Sequence, residues 1–323
     1  MRTLPRRRPR SRAPAGSPPP ALSEGTYDLW LEHLHGERLA RIDAACAGGG
    51  PECYALFRDL DPDLWALLLT QEYALYPHIR ALLPDVPDPA LQEVWNGLSG
   101  AALAAQSAAF YAKLRERFAR WSDRALADAR VLDFGCGWGR LTRYLARDVA
   151  PGALFACDPV QAILDLCAAC RVPARLARSD FVPERVPFDE TFDLAFACSV
   201  FTHLSEPAHE ACLAALHAAV RPGGVLVVTV RPPEYLRVSE HLRPVLAALQ
   251  PEPAARLREA RYLFAPHPPD PNHLQYAGGE MTYGEAVITI GYVRERWAPR
   301  FELLGVDLLV GDLHQVMVTL RRR

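Results

Sequence analysis

Three glycines, Gly135, Gly137 and Gly139, follow a short apolar run ending in Asp133-Phe134, and a further acid, Asp158, stands 19 residues beyond the last of them. Glycine carries no Cβ, so a chain with glycine at alternate positions can turn sharply and let a ligand touch main-chain atoms. A carboxylate at the end of the following strand, where the spacing puts Asp158, can accept hydrogen bonds from both hydroxyls of a ribose. Asp180-Phe181, one strand further on, offers an acceptor for an adenine amino group and an aromatic wall. Bend, first acid and second acid together specify an adenosine-type ligand at the carboxyl ends of a parallel sheet.

Residues that could move a proton are fewer. His203 follows the fourth expected strand in Ser199-Val200-Phe201-Thr202-His203-Leu204 and should face the reaction cleft, or else cap or pack the next helix. His273, Tyr276 and Tyr283 lie in a later insertion and are candidates for substrate contact. No second Cys or His pair sits at zinc-like spacing from Cys167-Ala-Ala-Cys170, so that pair reads as part of an amphipathic helix and no metal site is expected.

The elements that must position these groups can be read from apolar spacing. Residues 1–24 form a low-complexity Arg- and Pro-rich tail, expected to be solvated and disordered. Residues 25–122 carry no strand-like alternation and read as a helical cap or lid. Asp61-Pro62 and Asp88-Pro89 each pair an N-cap with proline at the first helical position. Leu103, Phe110, Leu114, Phe118 and Trp121 share one helical face. Between them, Trp95-Asn96-Gly97-Leu98-Ser99-Gly100 breaks the periodicity, as a lid over a ligand or a plain interhelix turn.

Residues 123–323 switch to short apolar runs alternating with helices, which implies βαβ units and a parallel sheet. Strands are expected at 130–134, 154–157, 174–179, 192–198 and 225–230, the last preceded by the turn Arg221-Pro222-Gly223-Gly224. A helix is expected to bear Leu141, Tyr144, Leu145 and Val149 on one face. Residues 301–310 and 314–320 flank Gly311-Asp312 and suit a closing antiparallel hairpin. A proline-rich insertion fills about 231–285. The fold class is therefore α/β and Rossmann-like, with a mostly parallel seven-stranded sheet, a C-terminal antiparallel hairpin and a helical segment in front.

Composition narrows the partners. A formal net charge of −2 gives no overall pull toward nucleic acid or a membrane, and no apolar run approaches a spanning helix. Lys113 is the only lysine against abundant arginine, alanine and proline, the mark of a GC-rich genome. Eight cysteines in a chain with ample core read as small hydrophobes and suggest a reducing, cytoplasmic compartment.

The identity of the adenosine ligand turns on one residue. A dinucleotide fold calls for a small residue at the third position of GxGxxG, where the helix packs close, and Arg140 stands there. A nicotinamide-dependent oxidoreductase is accordingly the remote alternative. The stretch Asp133-Phe134-Gly135-Cys136-Gly137-Trp138-Gly139 instead resembles the first motif of the class I S-adenosylmethionine-dependent methyltransferases, an acidic residue followed by xGxGxG. Phe192 to Ser199 looks like the fourth strand of that family, and Arg221 to Leu226 like the turn into its fifth. The resemblance covers residues 125–230 well and 285–323 more loosely.

It implies S-adenosylmethionine as cofactor. Asp133 and the three glycines, with Phe134 and Cys136 in the same loop, would cradle its methionine end, Asp158 its ribose, Asp180 and Phe181 its adenine, and Cys198 and Ser199 would border it. The Asn/Asp-Pro-Pro-Tyr sequence of amino-methylating DNA enzymes is missing after the fourth strand, and Arg231-Pro232-Pro233-Glu234-Tyr235 matches it only superficially. The resemblance therefore points to a bacterial small-molecule enzyme acting on an oxygen or nitrogen nucleophile, with sugars and natural products as the analogous substrates. A cofactor-binding subunit without turnover and a protein methyltransferase remain alternatives, and the oligomeric state is open.

Overall fold

The computed structural model describes residues 26–237, 262–268 and 282–323. The Arg/Pro-rich tail and most of the 231–285 insertion, with His273 and Tyr276, lie outside the described residues.

The chain begins with helices α1 (Thr26–Ala45), α2 (Pro62–Thr70), α3 (Pro77–Leu82), α4 (Pro89–Asn96) and α5 (Gly100–Trp121). Asp61 caps α2 by accepting from the amides of Asp63 and Leu64, and Asp88 caps α4 through Ala90. The apolar run of α2 ends at Thr70, with Gln71 extended, and α3 restarts at Pro77 after Tyr76, which is left-handed at φ 61° as proline disfavours the right-handed helical region for the residue before it.

The second part of the chain runs β1 (Val131–Phe134), α6 (Thr142–Leu145), β2 (Leu154–Asp158), α7 (Gln161–Ala169), β3 (Arg175–Arg178), β4 (Phe192–Ala197), α8 (Glu206–Ala219) and β5 (Val220–Val230). It closes with β6 (Tyr262–Pro266), β7 (Gly284–Ile288), α9 (Ile290–Arg296), β8 (Phe301–Leu308) and β9 (Val316–Arg322). Seven strands form one sheet in the order β3-β2-β1-β4-β5-β9-β8, while β6 and β7 pair as a separate antiparallel ribbon. All pairings up to β5 are parallel, and β9 runs antiparallel to both β5 and β8. The chain moves outward from β1 on both sides, so the crevice at the carboxyl ends of β1, β2 and β4 is the place where the fold leaves room for a ligand.

Both faces of the sheet are covered, which is why β1 and β4 are buried throughout. Val131, Leu194, Phe196, Val225 and Val227 share a core with the helical segment, including Phe110, Leu114 and Phe118 of α5. Leu132, Ala195, Leu226 and Val228 face α8 and α9, with Trp297 and Phe301. Each such Leu or Phe contributes roughly 1.5–3 kcal/mol by leaving water. The helical segment is also tied on by polar groups. Fully buried Arg147 donates from Nη1 to the carbonyls of Phe57 and Leu60 and from Nε to the Tyr111 hydroxyl, and the Trp65 indole donates to the Tyr144 carbonyl.

Several boundaries differ from the sequence reading, two of them by more than two residues. Strand β5 starts at Val220, which pairs with Phe192; the register then resumes at Val225 and Leu194, so Arg221–Gly224 is a bulge within the strand. Gly223 at φ 74° lets it double back. The helix after the glycine bend is short, with turns continuing from Thr142–Leu145 to Val149. No described helix is long and apolar enough to cross a membrane.

Candidate active site

The bend after β1 is a continuation of strand pairing that ends in open space. The amides of Gly135 and Cys136 both donate to the carbonyl of Cys157 on β2, at 2.8 and 3.0 Å. Gly135 takes φ 76°, and a Cβ there would stand 2.4 Å from a methyl of Val200. Gly137 takes φ 54°, yet nothing lies within 4 Å of where its Cβ would be. That gap beside half-buried main chain is the cradle a ligand needs.

Asp158, at the carboxyl end of β2, is buried, and its two oxygens accept from the amides of Gly137 and Val160, each at 3.0 Å. Burial raises its pKa above the usual carboxylate value. Each oxygen retains a second lone pair for a donor such as a ribose hydroxyl. The Cys167 thiol donates to the Gly137 carbonyl from below at 3.1 Å, so the CxxC helix supports the bend.

Asp133 sits under the same bend, fully enclosed, with Oδ2 accepting from the Thr142 hydroxyl at 2.6 Å. Burial pushes its pKa up to about 7, against the opposing effects of Thr142 and the Arg140 guanidinium. The Phe134 ring packs into the core beside Leu132 and Phe155, and Cys136 is buried with Cys167 and Cys170. Any contact Phe134 makes with a ligand is therefore through its main chain. Asp180 is exposed and Phe181 half-buried, just past β3; the preceding Ser179 amide donates to the Asp158 carbonyl and holds this segment beside the acid.

Cys198 and Ser199 leave β4. Ser199 is a non-glycine residue at φ 60°, a conformation that costs of order 1–3 kcal/mol and needs external support. Its amide donates to the Thr229 hydroxyl at 2.7 Å, and its own hydroxyl accepts from Gln315 Nε2 at 2.6 Å. Across the groove Arg140 reaches Ser107 of α5 at 2.9 Å, with Cys198 Sγ 3.9 Å from its other nitrogen. The α4–α5 corner also touches the bend: the Trp138 indole donates to Asn96 Oδ1 at 2.9 Å.

His203 lies in a polar cluster that the sequence did not reveal. Its Nδ1 is 2.7 Å from the Gly284 carbonyl, which can only accept, so Nδ1 carries the proton. Nε2 then accepts from Arg231 Nη2 at 3.2 Å. Arg231, buried at the end of β5, also pairs with Glu285 of β7 and donates to the Thr202 carbonyl. Glu285 further accepts from the Tyr235 hydroxyl at 3.1 Å and lies 3.3 Å from His267 Nε2. The Tyr283 ring stacks on His203 at 4.9 Å. Burial, and then the Arg231 charge, lower the His203 pKa to about 4.

The bend, Asp133, Asp158, Cys198 and Ser199 thus meet at one end of the sheet, while His203 and Tyr283 stand together in the neighbouring cluster. Sequence reasoning missed Arg140, Thr142, Gln315, Arg231, His267 and Glu285 as parts of this surface. For Arg231 a signal existed, since it directly follows the fifth strand at its ligand-facing end. Glu285 and Gln315 gave none, because their partners are distant in sequence.

Residues 131–224 match the family described as a methyltransferase domain. The chain is 33% identical over 141 residues to a trans-aconitate 2-methyltransferase of Variovorax paradoxus, which covers 43% of this chain and 52% of that protein. It therefore spans about half the length of the curated relative it matches. Among solved structures, a glycopeptide N-methyltransferase complexed with sinefungin aligns at TM-score 0.43 and 16% identity, over 66% of this chain and 94% of the other. The magnesium protoporphyrin IX methyltransferase of Synechocystis with bound S-adenosylhomocysteine aligns at TM-score 0.45 and 12% identity, over 83% and 96%.

Proposed function

We propose that this chain, which carries a class I methyltransferase domain, transfers the methyl group of S-adenosylmethionine to an oxygen or nitrogen nucleophile of a small molecule. The observation that carries the reading is the bend itself: main chain turned around Gly137 with nothing filling the place of its Cβ, and the Asp158 carboxylate gripping the amide of that same glycine.

The residues present suit that cofactor. Asp158 has lone pairs left for ribose hydroxyls, Asp133 offers a buried carboxyl that a cationic methionine end would favour in its ionised form, and Phe181 a half-buried ring beside Asp180 for the base. When bound, the cofactor supplies a methyl group already activated for in-line displacement. What the protein adds is orientation, and holding the nucleophile about 3–3.5 Å from the reacting carbon can lower the barrier by roughly 7–11 kcal/mol. In this reading Asn96 and Arg140 make the helical segment a roof on the cofactor groove, and the His203–Tyr283 wall meets the acceptor.

The relative's name brings carboxylic acids into the acceptor panel beside sugars and natural products. Calorimetric titration with S-adenosylhomocysteine and with NAD tests the cofactor: micromolar binding of the first and none of the second is expected. Release of S-adenosylhomocysteine across the acceptor panel tests turnover, and a chain that binds the cofactor but releases none with any acceptor would be a binding subunit.

A further inference from the structure

His203, Arg231 and Glu285 form a chain of contacts in which each partner limits the next. Nδ1 of His203 is committed to the Gly284 carbonyl, so the ring has one basic nitrogen left, and that nitrogen faces the Arg231 guanidinium. Arg231 cannot swing away freely, because Nη1 is held by Glu285 and by the Thr202 carbonyl and the guanidinium lies over the Tyr235 ring at 4.6 Å. Glu285 is itself fixed by Tyr235 and by strand pairing of β7 with β6. We infer that Arg231 is a positioning residue of the acceptor site: fixed by Glu285, it holds His203 in a single tautomer with its remaining lone pair occupied, and an acceptor must displace it to hydrogen-bond there. The inference rests on the reading of His203 as part of the acceptor wall.

The groups around the imidazole come from three segments. Arg231 and Tyr235 follow β5, Glu285 belongs to β7, His267 follows β6, and Tyr283 stacks on the ring. The ligand atoms of His203, His267 and Glu285 fall within 4.8 Å of one another, a spacing a divalent ion could bridge. The guanidinium argues against that use. It already neutralises Glu285, it would repel a second cation, and Nδ1 of His203 bears a proton instead of a lone pair.

The arrangement has a chemical consequence. With a guanidinium N–H directed at Nε2, protonating His203 would set two cations face to face in a buried site, so the ring stays neutral well into acid. A hydroxyl or amine donor arriving at Nε2 replaces the Arg231 N–H like for like. The acceptor is thereby oriented by a lone pair held in one direction, and His203 gains proton affinity only while Arg231 is displaced.

Histidine-selective 15N NMR of the full chain reads this directly, with the His203 signals assigned by their loss in His203→Gln. In the unsubstituted protein His203 should show the Nδ1–H tautomer and stay neutral down to about pH 5. Arg231→Met alone leaves Glu285 buried without its cation and can compromise folding, so the principal variant is Arg231→Met with Glu285→Gln, which removes both charges. Arg231 lowers the His203 pKa and Glu285 raises it, so the double variant is read against Glu285→Gln alone, above whose His203 titration midpoint it should lie by at least about one pH unit, a tenfold gain in proton affinity. Coincident titrations in these two variants, or an Nε2–H tautomer in the unsubstituted protein, overturn the proposal. S-adenosylhomocysteine binding by the same samples separates the two levels. If the chain binds it and the titrations coincide, the Arg231 proposal alone fails; if the chain does not bind it, the acceptor-site assignment fails with the reading beneath it.

Discussion

The carboxylate of Asp158 receives the amide of Gly137 at 3.0 Å, so the acid ending β2 and the bend leaving β1 are one mechanical unit. Replacing Asp158 by Ala removes the acceptor for the Gly137 and Val160 amides together with the acceptor offered to a ribose. Hydrogen bonds to a charged group are worth about 1.5–3 kcal/mol, so S-adenosylhomocysteine affinity should fall roughly 10- to 100-fold in a calorimetric titration. An unchanged Kd would remove Asp158 from the cofactor site.

The glycines of the bend should separate into two kinds. A methyl at Gly135 would collide with Val200 at 2.4 Å as well as strain the backbone, whereas a methyl at Gly137 would enter open space. Gly135→Ala is expected to cost folding stability, about 1–3 kcal/mol from overpacking plus about 1–2 from the left-handed conformation. Gly137→Ala should cost only the latter, and lose cofactor affinity far beyond its loss of stability. Urea midpoints and Kd values measured on both variants check this; equal affinity losses at equal stability would mean that no ligand lies against Gly137.

The contrast between these glycines shows what could be read in the chain and what could not. The bend, Asp158 and the strand alternation were legible because their geometry is local: φ preference, period and the distance from strand to strand are written in consecutive residues. The hairpin was legible for the same reason, although β8 stops at Leu308 and β9 starts at Val316, leaving a wider loop than Gly311-Asp312 alone suggests. The His203 cluster was not legible. Arg231 and Glu285 are 54 residues apart and meet because β7 is tied both to the end of β5, through the Ile288 amide to the Arg231 carbonyl, and to the segment after β4, through Gly284 to His203 and Ala286 to Thr202. Arg140 was read only as bulk that excludes a pyrophosphate, and its bond to Ser107 depends on where α5 docks.

Asp133 makes cofactor binding pH-dependent. Its buried carboxyl has a pKa of about 7, so near neutrality a large fraction is protonated in the free protein. A bound cation stabilises the ionised form and lowers that pKa, so binding releases protons and affinity rises with pH. S-adenosylhomocysteine, which keeps the ammonium group, should bind up to about tenfold more tightly at pH 8 than at pH 6. Calorimetry in buffers of different ionisation enthalpy should register the released proton, and Asp133→Asn should abolish both effects. A Kd independent of pH in the unsubstituted protein would place Asp133 away from the cofactor's charge.

His209 adds to acid sensitivity from the opposite face of the sheet. It is fully buried on α8, where Nε2 accepts from the Trp297 indole at 2.8 Å and Nδ1 finds no hydrogen-bond partner among the described residues. Burial lowers its pKa to about 3, below the ordinary histidine value of 6.5. The unfolded chain therefore takes up this proton first as the pH falls. The contribution to stability is complete above about pH 6.5 and is lost progressively toward the folded-state value, at about 1.4 kcal/mol per pH unit. Between pH 7 and pH 5 that amounts to roughly 2 kcal/mol from this residue. His209→Gln, which cannot take up the proton, should lower stability at pH 7 and flatten its decline toward pH 5. Urea denaturation of both proteins at the two pH values decides the matter, since parallel declines would show that the proton taken up on unfolding belongs to another group.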